Sequence, residues 1–446
     1  MSAATNKLRR QTFTISRQLE YFSESELTTQ TGYDKDLWWP QVVVKELIDN
    51  ALDACEQAGI SPATTIELTK DSVKVSDNGP GIPSSVVKRL LDYSTRTSNK
   101  QVYVSPTRGA QGNALKTILA IPYVLAGGKE TTVEIESGGL KHRILVSTDA
   151  LARKPKIQHT AVEIVKSEGT VVRVPGDSAC SKWAPKPLEN LQKLVRNYSL
   201  FNPHATFILN GQKFEATSPD WRKWVPTDPT SVHWYDADRF EQLVGAYIAS
   251  EGKRKRTVRE FIAEFRGLSA TRKQSEVSEA SHLERAYLHE LAVDGKLDRD
   301  ALSRLREAMK GASRPVKPEA LGVLGEEHFR RRLAADPQVS GKTFRYCRQK
   351  GFDGRGLPYV VESAFALVDK ESPLRGLHTG LNWSVPLGGA LEQNAFEVDD
   401  ENVVDGLSAI LAKSRVSIYS DPVCLAVHLI SPRFRFLDRG KGTVSL

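Results

Sequence analysis

The segment Glu46-Leu-Ile-Asp-Asn50-Ala-Leu-Asp53 places three polar side chains at helical spacing. Residues three and four positions apart lie along one face of an α-helix, so Glu46, Asn50 and Asp53 share a face. The amide oxygen of Asn50 suits a hydrated Mg²⁺, which prefers oxygen ligands and keeps several waters. Glu46 can accept the proton of an attacking water. An ordinary solvated helix face is the alternative interpretation.

A second candidate is the segment Asp77-Asn-Gly79-Pro-Gly81-Ile, which directly follows a predicted strand. Asp77 could accept a hydrogen bond from the amino group of an adenine. The two glycines, Gly79 and Gly81, would let the backbone come close to the base. The same residues form common turn dipeptides, so the segment alone is compatible with either a turn or a base-binding loop.

A third candidate is the segment Thr107-Arg-Gly109-Ala-Gln-Gly112-Asn-Ala-Leu-Lys116, in which a polar loop runs into a predicted helix. Backbone N–H groups at a helix start, together with the helix dipole, bind anions such as phosphates. Lys116 adds a point charge. The sequence is not a Walker A motif, and by itself it is only a glycine-rich loop. The predicted nucleotide contacts of this loop and helix are Ser94, Thr95, Arg108, Gly109, Ala110, Gln111, Gly112, Asn113, Ala114, Leu115 and Lys116.

The hydrophobic pattern around these motifs predicts the elements that must position them. Apolar residues recur every three to four positions from 38 to 59, which predicts a helix. Its apolar face is formed by Val43, Leu47, Ile48, Ala51, Leu52 and Cys55. Two β-rich runs, 64–70 and 72–79, predict a hairpin that leads into the Asp77 loop. We also predict a short helix at 84–92, a mobile loop at 93–112, a helix at 112–126, and strands at 131–137, 140–147, 161–166 and 169–174, so that an α/β sandwich ends near residue 215.

The second half of the chain has a different pattern. Residues 237–312 have a helical pattern with charged faces and no strand signals. From about residue 316 the pattern is mixed again. It predicts a helix at 325–334, strands near 342–348 and 358–368, a helix at 401–414 and a strand at 422–430. The predicted order is therefore α/β, then helical, then α/β.

Composition limits the partners and the compartment. The chain of 446 residues has a net charge of +8 and four scattered cysteines, so neither a disulfide framework nor a structural zinc site is expected. No apolar run is long enough to span a bilayer, and the first residues carry no secretory signal. We therefore expect a cytoplasmic, nucleoid-associated protein. Basic stretches at 252–260, 256–273 and 314–332 are compatible with a polyanionic partner such as DNA.

Together, the motifs and their order resemble the GHKL nucleotide-binding (Bergerat) fold shared by gyrase, Hsp90, histidine kinases and MutL. Glu46 and Asn50 resemble its first box, Asp77 with its glycines the second, and Gly109 to Gly112 the lid box. Thr170, which follows Gly169, resembles the threonine that completes the adenine pocket. The resemblance implies ATP and Mg²⁺ as ligands, with Asn50 holding the metal and Glu46 catalytic.

Within that superfamily the chain most resembles the B subunit of DNA topoisomerase VI, the type IIB enzyme. Similar segments run along nearly the whole chain: VVKELIDNALDACEQAGI, NPHA (202–205), TVREFIAEF (257–265), PEALGVLGEEHF (318–329), LPYVVESAFALV (357–368) and LAVHLISPRFRFLDRGKG (425–442). The last of these assigns the family's switch lysine, which reaches the γ-phosphate and is the second catalytic residue, to Lys441.

The resemblance implies an α/β fold (α+β sandwich) in three domains. These are a GHKL ATP-binding domain with an N-terminal dimerisation strap at 1–225, a helical H2TH-like domain at 226–315, and a transducer domain of ribosomal-protein α/β type at 316–446. It further implies an ATP-dependent homodimer that closes around duplex DNA and signals to a DNA-cleaving A subunit. No acidic metal-binding cluster lies beside a candidate nucleophilic tyrosine in the sequence, so topoisomerase activity would require that partner.

Three departures from the family pattern qualify this expectation. Ala114 stands where the lid box usually has a third glycine. The stretch LNWSVPLGG (381–389) lacks the Asn-Arg pair expected before Val-Pro-Leu. The sequence also ends five residues after Lys441, where the family continues into a helix that docks the A subunit. The alternative function is therefore a stand-alone DNA-clamp ATPase of DNA repair or phage defence with a different nuclease partner. A GHKL chaperone or kinase is not favoured, because no phospho-accepting histidine box precedes Glu46.

Overall fold

An eight-stranded sheet, a group of helices and a four-stranded sheet follow one another along the chain in the computed structural model. The structure describes residues 17–93, 102–108, 114–149, 151, 154–165, 168–176, 186–251, 255–392, 395–396, 403–436 and 444–445. We refer to residues 17–225, 226–315 and 316–445 as the N-terminal, helical and C-terminal regions. These boundaries remain predictions, and buried apolar side chains of all three regions, such as Phe207, Phe261 and Phe329, belong to one continuous cluster.

The large sheet of the N-terminal region has the order β5-β4-β3-β6-β2-β1-β7-β8. Neighbouring strands are antiparallel except for β1 and β7, which are parallel. The predicted hairpin is confirmed, with Ile66 of β1 opposite Val75 of β2. The strands are β1 Ala63–Leu68, β2 Ser72–Asp77, β3 Thr131–Ser137, β4 Leu140–Asp149, β5 Lys154–Glu163, β6 Thr170–Pro175, β7 Thr206–Leu209 and β8 Gln212–Phe214.

Helices cover the sheet, and the most important of them for the site is α3, the predicted helix that carries Glu46 and Asn50. All six residues predicted for its apolar face are buried, so the helix and its orientation are confirmed. A π-helical turn at Trp38–Val42 leads into it. The helices are α1 Glu24–Thr31, α2 Lys35–Leu37, α3 Val43–Gln57, α4 Ser84–Leu90, α5 Ala114–Leu125 and α6 Pro187–Phe201.

Two elements of this region differ from the prediction. The strand expected at 161–166 runs instead from Lys154 to Glu163, pairing with β4 along its whole length. It is an edge strand with mostly exposed side chains, so its polar first half has no hydrophobic alternation to reveal it. Helix α6 was not predicted, although Leu191, Leu194 and Val195 are buried at helical spacing.

The helical region contains the predicted helices and one unpredicted hairpin. Strands β9 (Ala292–Val293) and β10 (Lys296–Leu297) pair around Asp294-Gly295, so the prediction of no strands at 237–312 was wrong. Both turn residues have positive φ, 49° and 74°, as an Asp-Gly two-residue hairpin loop requires. The helices are α7 Ala237–Glu251, α8 Val258–Ala263, α9 Thr271–Ala280 and α10 Arg299–Ala312.

The C-terminal region is built on a sheet of order β11-β12-β16-β13, in which β13 runs parallel to β16. Strand β13 was not predicted, because GLHTGL combines two glycines with a histidine and a threonine. The main elements are α11 Glu326–Ala334, β11 Arg345–Phe352, β12 Pro358–Leu367, β13 Gly376–Leu381, α12 Leu407–Lys413 and β16 Val423–Ile430. Short pairs are formed by β14 Ala395–Phe396 with β15 Val403–Val404, and by β17 Arg435–Phe436 with β18 Val444–Ser445.

Short 3₁₀ segments connect several of these elements. They are Arg17–Phe22, Val232–Trp234, Leu288–Leu291, Pro318–Leu321 and Gly341–Thr343. Among the residues that the structure describes, none of the helices has the length and apolar character needed to cross a bilayer.

Candidate nucleotide-binding site

Helix α3 presents Glu46 and Asn50 on its partly exposed flank. The Glu46 side chain is 27% exposed, and its Oε1 lies 3.1 Å from the Lys45 Nζ. Asn50 is half-buried, and its side-chain amide forms no hydrogen bond within the described part of the chain. The amide oxygen of Asn50 is therefore available to a metal-bound water, and one carboxylate oxygen of Glu46, Oε2, is not engaged by the lysine.

Asp77 lies at the end of β2, where two backbone amides fix its carboxylate. Its Oδ1 accepts hydrogen bonds from the N–H of Gly79 at 2.8 Å and of Thr170 at 3.2 Å. Neither bond uses Oδ2, so this oxygen remains an acceptor for an amino group. Burial raises the pKa of Asp77 above its ordinary value, and the two amide donors oppose that shift.

The loops around Asp77 approach one another so closely that glycine is required at two positions. Gly81 has φ 85°, and a Cβ there would lie 2.7 Å from the Ser137 Oγ. Gly169 has φ 77°, and a Cβ there would lie 1.7 Å from the carbonyl oxygen of Asp77. Ser137 in turn accepts a hydrogen bond from the N–H of Ile82 at 2.7 Å. The Asp77 loop is therefore packed directly against the start of β6, which carries Thr170.

Asn78 is a structural residue of this loop that the sequence analysis did not identify. Its Oδ1 accepts from the Ala63 N–H at 2.8 Å, and its Nδ2 donates to the Ser61 carbonyl at 3.0 Å. The side chain thus ties the Asp77 loop to the start of β1. The neighbouring Cys55 thiol is buried, and burial raises its pKa to about 12, as expected for a structural cysteine.

The described part of the predicted phosphate loop begins again at α5. Ala114 is the first residue of that helix, which is the conformation in which a methyl group replaces glycine without strain. Leu115 is half-buried, whereas Lys116 is buried with its Nζ donating to the Asp92 carbonyl at 2.5 Å. The predicted contacts that lie outside the described residues are Ser94, Thr95, Gly109, Ala110, Gln111, Gly112, Asn113 and Lys441.

Arg108 and Asp53 meet on the other flank of α3. The Arg108 guanidinium is fully buried and donates to the Asp53 Oδ1 at 2.9 Å and to the Asn202 Oδ1 at 2.5 Å. It also forms two hydrogen bonds, of 2.7 and 2.8 Å, with the two oxygens of Glu56. The observed partners of Arg108 and Asp53 are thus protein groups, and their predicted contact with nucleotide remains a prediction.

Glu56 is the centre of a buried charged cluster that sequence analysis missed. Besides Arg108, its carboxylate contacts the Lys223 Nζ at 2.7 Å and the His204 Nε2 at 2.9 Å. Burial would raise the pKa of Glu56, but Arg108 and Lys223 hold it well below its ordinary value. Burial, assisted by Arg108, lowers the pKa of Lys223 to about 8, although Glu56 acts in the opposite direction. The Lys223 Nζ also lies 4.1 Å from the ring centroid of Trp383 in the C-terminal region.

A second missed cluster surrounds Asp49, one turn nearer the start of α3. Its carboxylate contacts the Lys45 Nζ at 3.0 Å and accepts from the Tyr198 hydroxyl at 2.7 Å. It also accepts from the Ser384 hydroxyl of the C-terminal region at 2.7 Å. Burial lowers the pKa of Lys45, but Asp49 and Glu46 outweigh it and raise the pKa well above its ordinary value. The sequence signal was a Lys–Asp pair at i,i+4 in the middle of an apolar pattern.

Comparison with known proteins confirms the resemblance predicted from the motifs. Residues 36–148 match the family model described as histidine kinase-, DNA gyrase B-, and HSP90-like ATPase. This span holds α3, the Asp77 loop and α5, so the chain contains a GHKL ATPase domain.

Relatives extend the resemblance along the chain. The B subunit of type 2 DNA topoisomerase 6 from Saccharolobus shibatae is 27% identical, over 90% of this chain and 75% of the relative. The corresponding protein from Saccharolobus islandicus strain Y.N.15.51 shows the same identity and coverage. That from Saccharolobus solfataricus is 26% identical with the same coverage. The similarity to topoisomerase VI B subunits predicted from the downstream segments is therefore confirmed.

Proposed function

We propose that this chain binds ATP with Mg²⁺ and hydrolyses it, as the ATPase subunit of a topoisomerase VI B-like assembly. The observation that carries the proposal is the carboxylate of Asp77. It is held by the amides of Gly79 and Thr170, with its second oxygen uncommitted, in loops that require glycine. Such a fixed acceptor beside close-packed backbone suits the amino edge of an adenine.

The residues of α3 have the chemistry for the phosphate end of the nucleotide. Asn50 would hold the hydrated Mg²⁺, which when bound neutralises charge on the phosphate oxygens. Glu46 would accept the proton of the attacking water through the oxygen that Lys45 leaves free. Lys441 would contact the γ-phosphate from the C-terminal region and so make its position depend on nucleotide.

The relatives' names support duplex DNA as a further ligand and an A subunit as a partner of an ATP-dependent homodimer. In this proposal the helical region is the H2TH-like domain and the C-terminal region the transducer. At their junction lies a groove of about 490 Å³ whose described lining includes no acidic side chain. Its basic lining residues are Arg266, Lys273, Arg314 and Lys317. A basic groove of this kind suits the sugar–phosphate backbone, which is bound largely without regard to sequence.

The ATPase proposal is tested by turnover with and without duplex DNA, for the wild type, Glu46→Ala and Lys441→Ala. Dimerisation is followed by light scattering with a non-hydrolysable ATP analogue. We expect the analogue to dimerise the wild type, DNA to increase turnover, and both substitutions to abolish it. ATP binding without any effect of DNA or of Lys441→Ala would contradict the transducer assignment and leave a generic GHKL ATPase.

The groove is tested by the double substitution Arg314→Glu/Lys317→Glu, with Lys70→Glu on the N-terminal sheet as an exposed control. We expect weaker DNA binding and a salt dependence shallower by about one unit of slope for each phosphate that the variant no longer binds. An unchanged salt dependence would exclude this groove.

Partnership is tested by co-purification with a candidate topoisomerase VI A subunit from the same source. Failure to associate, with DNA-dependent dimerisation preserved, would instead favour a clamp that acts with a different nuclease.

A further inference from the structure

The turn that follows β13 brings the C-terminal region against α3, the helix that carries Glu46. Asn382 and Trp383 both have positive φ, 48° and 65°, in a region that non-glycine residues rarely adopt. The surrounding residues hold this conformation. The Asn382 side chain exchanges hydrogen bonds with the backbone of Ser431 at 2.9 and 3.0 Å, and the Trp383 N–H donates to the His428 Nε2 at 3.1 Å. The turn is thus a fixed part of the C-terminal sheet.

From this turn a chain of three contacts leads to the candidate catalytic carboxylate. The Ser384 hydroxyl donates to the Asp49 Oδ2 at 2.7 Å. The same Asp49 oxygen lies 3.0 Å from the Lys45 Nζ, which lies 3.1 Å from the Glu46 Oε1. We name these four residues the Ser384–Glu46 relay. Asp49 and Lys45 are 5% and 8% exposed, so the charges of the relay interact where water screens them little.

The relay fixes one oxygen of Glu46 and leaves the other for chemistry. Lys45 cannot choose freely among partners, because Asp49 binds its ammonium from the opposite side. Asp49 is itself fixed by the hydroxyls of Tyr198 and Ser384. Of these two hydroxyls, the one from Ser384 belongs to the C-terminal region, so the position of that region can reach the Glu46 carboxylate.

We propose that Ser384 is a positioning residue for ATP hydrolysis, acting on Glu46 through Asp49 and Lys45. Through this contact the C-terminal region sets the rate of hydrolysis and not the affinity for nucleotide. The inference rests on the proposed ATPase function. It adds a second route, distinct from Lys441, by which the C-terminal region acts on the nucleotide site.

Other contacts hold the joint together without Ser384, so removing its hydroxyl leaves the two regions docked. The Asn202 Nδ2 donates to the Trp383 carbonyl at 3.0 Å, and the Leu387 N–H donates to the Tyr33 hydroxyl at 3.1 Å. The Lys223 ammonium also lies over the Trp383 ring. Ser384→Ala therefore separates positioning from docking.

The experiment compares Ser384→Ala with Ser384→Thr, which keeps a hydroxyl, and with Ser431→Ala. Ser431→Ala removes a hydroxyl of the same region that donates to the Arg433 carbonyl and not to Asp49. For each variant kcat and KM for ATP, the affinity for a fluorescent non-hydrolysable ATP analogue, and hydrogen exchange of residues 43–57 without nucleotide are measured.

We expect Ser384→Ala to lower kcat by roughly tenfold, because small misplacements of catalytic groups are costly. KM and analogue affinity should stay within about twofold, and amides near Glu46 should exchange faster. Ser384→Thr should restore kcat and exchange, and Ser431→Ala should resemble the wild type.

An unchanged kcat in Ser384→Ala, or a parallel loss of kcat and analogue affinity, would overturn the relay alone. So would a Ser384→Thr variant as slow as Ser384→Ala, because packing rather than the hydroxyl would then matter. Absence of ATP turnover in the wild type would overturn the proposed function and the relay together.

Discussion

Helix α3 has two polar flanks that differ in burial and in partners. On one flank Glu46 and Asn50 are partly exposed, with few protein contacts. On the other, Asp49, Asp53 and Glu56 are buried and paired with cations and hydroxyls from distant parts of the chain. The first flank has the uncommitted oxygen atoms that a ligand needs. The second has its charges consumed by the fold, so it transmits position rather than binding a ligand. We call them the ligand flank and the joint flank.

The strongest test exchanges a carboxylate for an amide on the ligand flank. Glu46→Gln should lower ATP turnover by about 10²- to 10⁴-fold, the usual contribution of a positioned general base, with little change in stability. Steady-state turnover and urea unfolding measure the two quantities. Turnover close to that of the wild type would show that Glu46 is not the base.

The same exchange on the joint flank should affect stability instead. Glu56→Gln leaves Arg108 and Lys223 buried without their counter-charge, which we expect to cost about 3–5 kcal/mol in the free energy of unfolding. Urea unfolding measures this, with Glu215→Gln at an exposed ion pair as a control of unchanged midpoint. If Glu56→Gln were as stable as the wild type, the distinction between the two flanks would fail.

Acid should weaken the contact between the C-terminal region and α6, which packs beside the joint flank. His328 contacts the Leu200 carbonyl, His378 lies 2.7 Å from the Asn197 Oδ1, and burial lowers the pKa of each to about 4. Because the folded-state pKa lies below the unfolded value of about 6.5, the unfolded chain takes up protons first as the pH falls. Their stabilisation is complete above about pH 6.5 and lost toward pH 4, at most about 3 kcal/mol for each histidine.

The measurement is urea unfolding between pH 7 and 4.5 for the wild type, His328→Asn and the exposed control His289→Gln. We expect a shallower loss of stability with falling pH in His328→Asn and a wild-type profile in the control. An identical pH dependence in all three proteins would show that His328 stays uncharged in both states.

Asp77→Asn should have the smallest of these effects and should fall on ATP affinity. An amide can present an N–H where the adenine amino group needs an acceptor, and a hydrogen bond to a charged group contributes about 1.5–3 kcal/mol. We therefore expect roughly ten- to a hundredfold weaker binding of a fluorescent ATP analogue, with dimerisation recovered at high nucleotide concentration. Unchanged affinity would remove Asp77 from the base pocket.

The stretch LNWSVPLGG shows how far the sequence could be interpreted. Its departure from the family pattern is visible in the sequence, but the consequence is not. Ser384 contacts Asp49 across 335 residues of chain, and no local pattern connects two positions so far apart. Likewise Arg108 was predicted from its place beside the phosphate loop, whereas the fold places its guanidinium against Asp53, Glu56 and Asn202.

The sequence by itself determined the ligand flank, the Asp77 loop and most helices and strands around them. The physical reason is that helical periodicity, glycine at tight turns and strand alternation act within a few residues. Only the tertiary structure decided the joint flank, the edge strand β5 and the strand β13. Buried charges and edge strands are stabilised by partners from distant segments, and the identity of those partners depends on how the two sheets pack.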